Sequence, residues 1–450
     1  MNKRKIILMI IAVILLIGIM FGFYYLYVRL PIINGYAAKN MCSCVFVAGR
    51  EQKDIEANDL NFSLVKYASN TIDFENKTVT SSFWGMRAQK AFYNKKTGCS
   101  LVNTGKSFNT KELKITHPKP AASSFLFADF ENGKPIPSNI NQDKLRAAIG
   151  NDFIEAEGEN TRNTRAIVVL YGNQLIAEQY AEGFDKNTKQ LGWSMAKSIM
   201  STLTGILVQQ GKVDINQPTG IETWQNDNRK NITWNHLLQM NSGLEWEENY
   251  GAISDVTKML YTEDDIYSFA VSHKLDGTPG KSWEYSSGTS NILSGLIRKQ
   301  LDDNEAYLNF ANKELFNWIG AESMVLETDP SGTIVGSSYA WATPRDWAKY
   351  GLLYLKNGKV GERQIFPDWW AEYTATPAEG SEGKYGSQFW KQNDEDFPNV
   401  PKDMYFADGF QGQRIFIIPS KNLVVVRLGL ANKGDISFNQ LLKEVIEAVE

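Results

Sequence analysis

The 450-residue chain is poor in the residues on which most metal and much nucleophile chemistry depends, with only three histidines and three cysteines. Three cysteines with no histidine nearby make an incomplete zinc ligand set. The last histidine is His273, far from the C-terminal position an α/β-hydrolase histidine occupies. No charge of one sign dominates: 47 Lys and Arg stand against 51 Asp and Glu, a net charge of −4. That balance gives no reason to expect nucleic acid or a polybasic membrane contact. The chain shows no internal repeat, no phosphate-cradling glycine loop, and no carboxylate pair standing out as acid and base. No metal or organic cofactor is implied. What remains is an ordinary globular composition, 43% hydrophobic and 22% charged, long enough for more than one structural unit. The twelve Trp and nineteen Tyr are expected chiefly as core, with a smaller share left for cleft walls.

The N-terminus carries the one long apolar run. Ile6 to Val28 spans 23 residues without a charge, roughly 34 Å as a helix. Lys3, Arg4 and Lys5 precede it, which predicts a cytoplasmic N-terminus. A cleaved signal peptide would have a shorter apolar region and a small-residue site; here the run ends in "FGFYYLYVRLP". Residues 1–31 are therefore expected to be a retained single-pass anchor in the cytoplasmic membrane. The remainder would lie outside, periplasmic or on the cell surface. In that oxidising setting one disulfide is possible, with either Cys42 or Cys44 paired to Cys99.

Residues 32–115 read as a small extracytoplasmic unit of short strands and turns, as in "TVTSSFWGMRAQKAFYN", without a catalytic pattern. Residues 116–142 read as a proline-rich linker. Residues 143–450 read as an α+β domain. An apolar hairpin turning at Gly172-Asn173 near its start and another turning at Pro419 to Asn422 near its end predict one antiparallel sheet, split in sequence, carrying a helical insertion.

Three S-x-x-K tetrapeptides occur: Ser63–Lys66, Ser194–Lys197 and Ser381–Lys384. Only the second opens a helical apolar pattern, at Ile199, Met200, Leu203, Ile206 and Leu207, with Gly211 as a C-cap. Ser194 would then sit in the first turn, near free N–H groups and the positive dipole end, with Lys197 on the same face. Burial would lower the lysine pKa enough to make it a base. The plain alternative is a helix-start serine beside an unrelated surface lysine. The rival elbow reading of "GWSMA" lacks both a buried strand before the serine and a late histidine. Further along, Tyr285 precedes a helix in "PGKSWEYSSGTSNILSGLIRKQL", and a tyrosine beside a lysine ammonium can relay a proton. In "YFADGFQGQRIFIIP" a glycine-rich turn, Gly409 to Gly412, abuts a strand, where backbone can approach an acyl group and offer an N–H.

This ordered set resembles the serine β-lactamase and penicillin-binding-protein superfamily, in particular its class C-like branch of esterases, D-aminopeptidases and 6-aminohexanoate-oligomer hydrolases. "ITWNHLLQMNSGLEW" and "GSSYAWATPRDWAKYGLLYLKNGKVGERQIFP" resemble further segments of that branch. The resemblance covers about residues 143–450 and implies a β-lactamase/transpeptidase-like fold. It makes Ser194 the acylated nucleophile, Lys197 its base and Tyr285 a partner in proton transfer. The backbone N–H groups of Ser194 and Phe410 would form the oxyanion hole. Two departures stand out. The tyrosine motif reads Tyr285-Ser286-Ser287, with serine for asparagine. The triplet Ala407-Asp408-Gly409 lacks the cation that helps hold a β-lactam carboxylate. Arg414 could substitute but is expected to face solvent or an acidic neighbour. Candidate substrate contacts are Tyr250, Asp255, Gly409 and Trp193; the plain readings are loop polar residues for the first two and core for Trp193. By likeness to extensions on secreted or anchored members, "MCSCVFVAGR" and "KKTGCSLV" imply a Cys42–Cys99 disulfide. The expected function is a serine hydrolase acting on a small ester, amide or peptide substrate. A D-amino peptidase or β-lactamase, and a catalytically silent binding protein, are the alternatives.

Overall fold

A 25-residue helix, Lys3–Tyr27 (α1), opens the computed structural model, which describes residues 3–103, 109, 111–117, 119, 135–155, 162–431 and 436–450. None of its residues is buried, and it is long and apolar enough to cross a membrane. After a turn at Val28 and Arg29 the chain re-enters a helix, Leu30–Phe46 (α2), with Pro31 in its first turn, where proline's missing N–H costs nothing.

Residues 30–46 thus differ from the strands and turns expected from residue 32 onward. Ala37, Met41 and Cys44 recur at helical spacing and are buried, but Asn34-Gly35 and the polar Lys39, Asn40 and Ser43 interrupt the apolar pattern. A short helix, Gln52–Ala57 (α3), follows. The expected strands come after it: Ala68–Asp73 (β1), Thr78–Phe83 (β2), Met86–Asn94 (β3) and Gly98–Leu101 (β4) form a four-stranded antiparallel sheet in sequence order. Helix α2 lies on this sheet, and a Cys42–Cys99 disulfide joins α2 to β4. Cys44 is free and buried.

This N-terminal part and the rest of the chain share one hydrophobic core, in which Ala37, Ala38 and Met41 of α2 meet the same cluster as Ile199 and Leu203. A buried polar knot adds to it. Glu327 accepts from Lys39 Nζ at 2.5 Å, Ser43 Oγ at 2.9 Å, the Cys99 N–H at 2.6 Å and Trp341 Nε1 at 3.0 Å. Four donors on one carboxylate satisfy a charge that burial would otherwise penalise heavily. Most of the expected linker, 118 and 120–134, lies outside the described residues.

Gln142–Asp152 (α4) starts at Asn141, whose side chain accepts from the Lys144 N–H. Two hairpins follow the expected pattern: Thr164–Tyr171 (β5) with Gln174–Tyr180 (β6), and, at the far end of the chain, Gln413–Ile418 with Leu423–Gly429. Between them run Gln190–Leu191 (β7), Met195–Gln209 (α5), Trp234–Leu238 (α6), Asp255–Tyr261 (α7) and Ser287–Lys299 (α8). Val325–Leu326 (β8), Ala340–Ala342 (β9), Pro344–Leu355 (α9) and the small ribbon Lys359–Val360 (β10) and Arg363–Gln364 (β11) follow. Trp390–Lys391 (β12), Tyr405–Gly409 (β13), Gln413–Ile418 (β14), Leu423–Gly429 (β15) and Phe438–Val449 (α10) complete the chain.

The main sheet has the order β12-β13-β14-β15-β5-β6, antiparallel throughout. The two hairpins adjoin through β15 and β5, and the Gly172 N–H donates to Asn422 O across their turns. Alternation decides the layers. Ile167, Val169, Phe416 and Val425 pack under α4 and α10. Ala166, Val168, Ile415 and Val424 face α5 and α9. The sheet is therefore covered on both faces, which explains the unbroken apolar runs Ile415–Ile418 in β14 and Leu423–Val426 in β15.

Candidate active site

Ser194 precedes the first residue of α5 in helical conformation and its side chain makes no capping hydrogen bond. The hydroxyl is thus left free for other work. Trp193, just before it, has φ +47°, a left-handed conformation that a bulky residue adopts at a cost of about 1–3 kcal/mol. Close contact requires two glycines here. A Cβ on Gly409 would lie 2.1 Å from Gly192 O, and one on Gly192 would lie 2.5 Å from the Trp347 ring. Strand β13 can therefore press against the backbone that presents Ser194. Among the described residues, neither the Ser194 nor the Phe410 N–H is taken up in a turn or loop hydrogen bond.

Lys197 lies one helical turn on and is 1% exposed. Its ammonium makes three bonds of 3.0 Å each, to Ser194 Oγ, Ser287 Oγ and Ser337 O, which uses all its donors. Burial lowers its pKa to about 8, although the Glu248 carboxylate pulls the other way. Tyr285 places its ring 4.8 Å from the same Nζ. Burial, with Tyr385 and Glu248 beside it, pushes the Tyr285 hydroxyl well above the ordinary tyrosine range. Tyr385 and Trp390 wall the ring at 5.9 and 5.5 Å.

Ser287, which stands where the resemblance expects asparagine, is the hub of this arrangement. It accepts from Lys197 and donates to Glu248 Oε1 at 2.5 Å, while its N–H donates to Glu248 Oε2 at 2.9 Å. Glu248 also accepts from Trp246 Nε1 and Tyr250. Neither Glu248 nor Ser337 was reachable from spacing, because both come to Lys197 through tertiary contacts. Asn291 of α8 holds Ser337 from both sides, donating to its Oγ at 3.1 Å and accepting from its N–H at 3.1 Å.

The candidate substrate contacts divide. Tyr250 and Phe410 are exposed and stack at 6.4 Å with 10° between planes, and Phe410 meets Trp193 edge-on at 5.8 Å. Trp193 itself is 7% exposed, packed against Tyr36 of α2 at 6.1 Å and Tyr339 at 5.8 Å, the core position that was its plain reading. Asp255 is not brought to this cluster: its partners are the Glu247 N–H, Lys258 and His273, around the start of α7. Arg414 pairs with Asp408 and donates to Gly409 O at 3.0 Å, so an acidic neighbour takes up its charge. His236 closes a capping box at α6 with Thr233, a structural use.

The sequence model of the Beta-lactamase family matches residues 151–447, more than half the chain. The chain belongs to the beta-lactamase family. A curated relative of this family member, the 6-aminohexanoate-dimer hydrolase of Paenarthrobacter ureafaciens, is 23% identical over 294 residues, covering 59% of this chain and 72% of the relative. Among solved structures, a family VIII carboxylesterase has a TM-score of 0.51 at 15% identity, covering 69% of this chain and 98% of its own. A penicillin-binding protein homolog from Caulobacter crescentus also has a TM-score of 0.51, at 12% identity over 69% of this chain and 96% of its own. At such identities the likeness establishes a beta-lactamase/transpeptidase-like fold, shared by proteins named for different activities.

Proposed function

We propose that the chain is a membrane-anchored, extracytoplasmic serine hydrolase that transfers an acyl group from an ester or amide to Ser194 and then to water. The carrying observation is Lys197, buried, bonded to Ser194 Oγ and with its pKa lowered to about 8. A lysine so placed is neutral often enough near neutral pH to accept the serine proton. Tyr285, whose hydroxyl stays protonated, suits the relay of that proton to the leaving group rather than the role of base. As Ser194 Oγ attacks, the carbonyl oxygen gains charge, and the N–H groups of Ser194 and Phe410 are the donors available to it. The leaving group departs with the relayed proton. Water then attacks the acyl-serine, and Lys197 and Tyr285 move its proton back to Ser194.

The pairing of Arg414 with Asp408 supports an ester or amide over a β-lactam, since it leaves the triplet without a free cation. The names of the 6-aminohexanoate-dimer hydrolase and carboxylesterase relatives accord with that choice. The anchor reading rests on α1, and a signal sequence passes the same test of length and apolarity. Incubating the full-length protein with a fluorophosphonate and, separately, a labelled penicillin, then locating adducts by mass, tests the proposal. A phosphonate adduct on Ser194 without a penicilloyl adduct is expected. Penicilloylation of Ser194 would favour the D-amino peptidase or β-lactamase alternative, and no adduct from either reagent would favour a silent binding protein.

A further inference from the structure

The turn joining β2 and β3 is Trp84-Gly85, with Phe83 paired to Met86. Both turn residues have positive φ, +49° and +75°, as a two-residue type I′ turn requires. Asn, Asp or Gly normally fills the first position; a tryptophan there is sterically disfavoured. Trp84 is nevertheless 74% exposed, the most exposed large hydrophobic side chain among the described residues. Its ring leans on buried Phe83 at 4.9 Å, and Phe83 meets Tyr67, itself half exposed, at 6.2 Å. Lys66 Nζ lies 5.2 Å from the Tyr67 ring.

The position of this tip is set by α2. Asn34 Nδ2 donates to Met86 O at 3.0 Å and Arg87 O at 2.8 Å, and the Arg87 guanidinium sits 5.2 Å from the ring of Tyr27, the last residue of α1. The hairpin tip is thereby tied to the level at which the apolar helix ends. The opposite turn of the sheet carries Phe74, which packs on Phe46 at the far end of α2, about 25 Å of helix away.

We propose that the Trp84 tip, with Tyr67, Lys66 and Arg87, docks into the headgroup layer of the bilayer that α1 crosses. Tryptophan and tyrosine favour that layer, where a ring is half wet and half apolar, and the two cations suit lipid phosphates. This rests on the anchor reading above. Its consequence concerns access: Tyr36, which stacks on Trp193 beside Ser194, is nine residues past Tyr27, about 14 Å of helix. The cleft is held close to the interface, within reach of esters or amides borne on lipids.

The test uses the full chain with single cysteines introduced for a fluorescent label, Trp84→Cys, Phe74→Cys and, in mid-helix, Ile17→Cys; native Cys44 is buried and its thiol pushed up to about 12. Each labelled protein is reconstituted in phosphatidylcholine–phosphatidylglycerol vesicles carrying bromine either near the headgroup or at the chain ends. The expected result is quenching at 84 by headgroup-proximal bromine, at 17 by chain-end bromine, and at 74 only by aqueous iodide. Quenching at 17 with the 84 label open to iodide and untouched by bromine would overturn the docking while leaving the anchor intact. Absence of bromine quenching at 17 would overturn both. Trp84→Asn, which suits the turn better, guards against misfolding: it should keep the thermal transition and the turnover of a water-soluble ester while losing turnover of an ester dispersed in the vesicle. Equal loss on both esters would also overturn the proposal.

Discussion

Replacing Glu248 with glutamine should shift the rising limb of the pH–activity profile toward acid. Lys197 Nζ and Glu248 Oε1 both bond to Ser287 Oγ, at 3.0 and 2.5 Å. The charges are therefore at most about 5.5 Å apart, worth roughly 3 kcal/mol at an effective dielectric of ~20. Glu248 is only partly buried, so solvent screening reduces this to about 1–1.5 kcal/mol, or about one pH unit. The sign follows directly: the carboxylate favours the ammonium, and its removal lets neutral Lys197 form at lower pH. With a wild-type pKa of about 8, about a tenth of the lysine is neutral at pH ~7; in Glu248→Gln about half would be. The assay is the rate constant for inactivation by a fluorophosphonate between pH ~6 and ~9.5, each profile scaled to its own plateau. Scaling matters because glutamine keeps one acceptor for Ser287 and loses the other, which can lower the plateau without moving the limb. A wild-type rate that does not rise between pH ~7 and ~9, or a variant limb that stays put or moves to higher pH, would refute lysine as the base.

Lys197→Ala should lower ester turnover by about 10²–10⁴-fold with an unchanged circular dichroism spectrum; wild-type rates would remove the lysine from the scheme. Phe410→Ala removes an exposed ring from the rim and should change stability by less than about 0.5 kcal/mol. It should raise KM for esters with apolar acyl chains more than it lowers kcat, as steady-state kinetics will read; a kcat loss with KM unchanged would contradict the rim role. Glu327→Ala strands the Lys39 ammonium, 3% exposed, without its counter-charge and should cost about 3–5 kcal/mol in urea denaturation. A shift below about 1 kcal/mol would show that water or another group satisfies Lys39.

The parts legible in the sequence are those whose signal is local. Strands β14 and β15 announce themselves because a sheet covered on both faces needs apolar residues at successive positions. Helix α5 shows in the recurrence of Ile199, Leu203 and Ile206 behind Ser194, which separates this tetrapeptide from the exposed loop at Ser63 and the turn at Ser381. The resemblance singled out Cys42–Cys99 where spacing left Cys44 equally open. What stayed hidden depends on partners far along the chain. Helix α2 buries Lys39 and Ser43, polar residues that look like surface until Glu327 is placed beside them. Glu248 has no periodic relation to Ser194, and only the fold of α7 and α8 around it brings its carboxylate to Ser287. Asp255 was misleading for the converse reason: a neighbour of Tyr250 in sequence, it turns instead to the start of its own helix.

The shared core between α2 and the hydrolase unit determines how the chain can be divided. A fragment beginning at residue 143, where the family resemblance starts, would discard Tyr36, Lys39 and the disulfide partners, leaving the back of Trp193 bare and the Glu327 carboxylate facing solvent without its lysine. Such a fragment should express poorly or aggregate even though every residue named for acyl transfer is still in it. The natural cut lies at Val28 and Arg29, the turn between α1 and α2. A fragment starting there keeps the core whole and sheds only the apolar helix, none of whose residues is buried and whose last ring, Tyr27, meets Arg87.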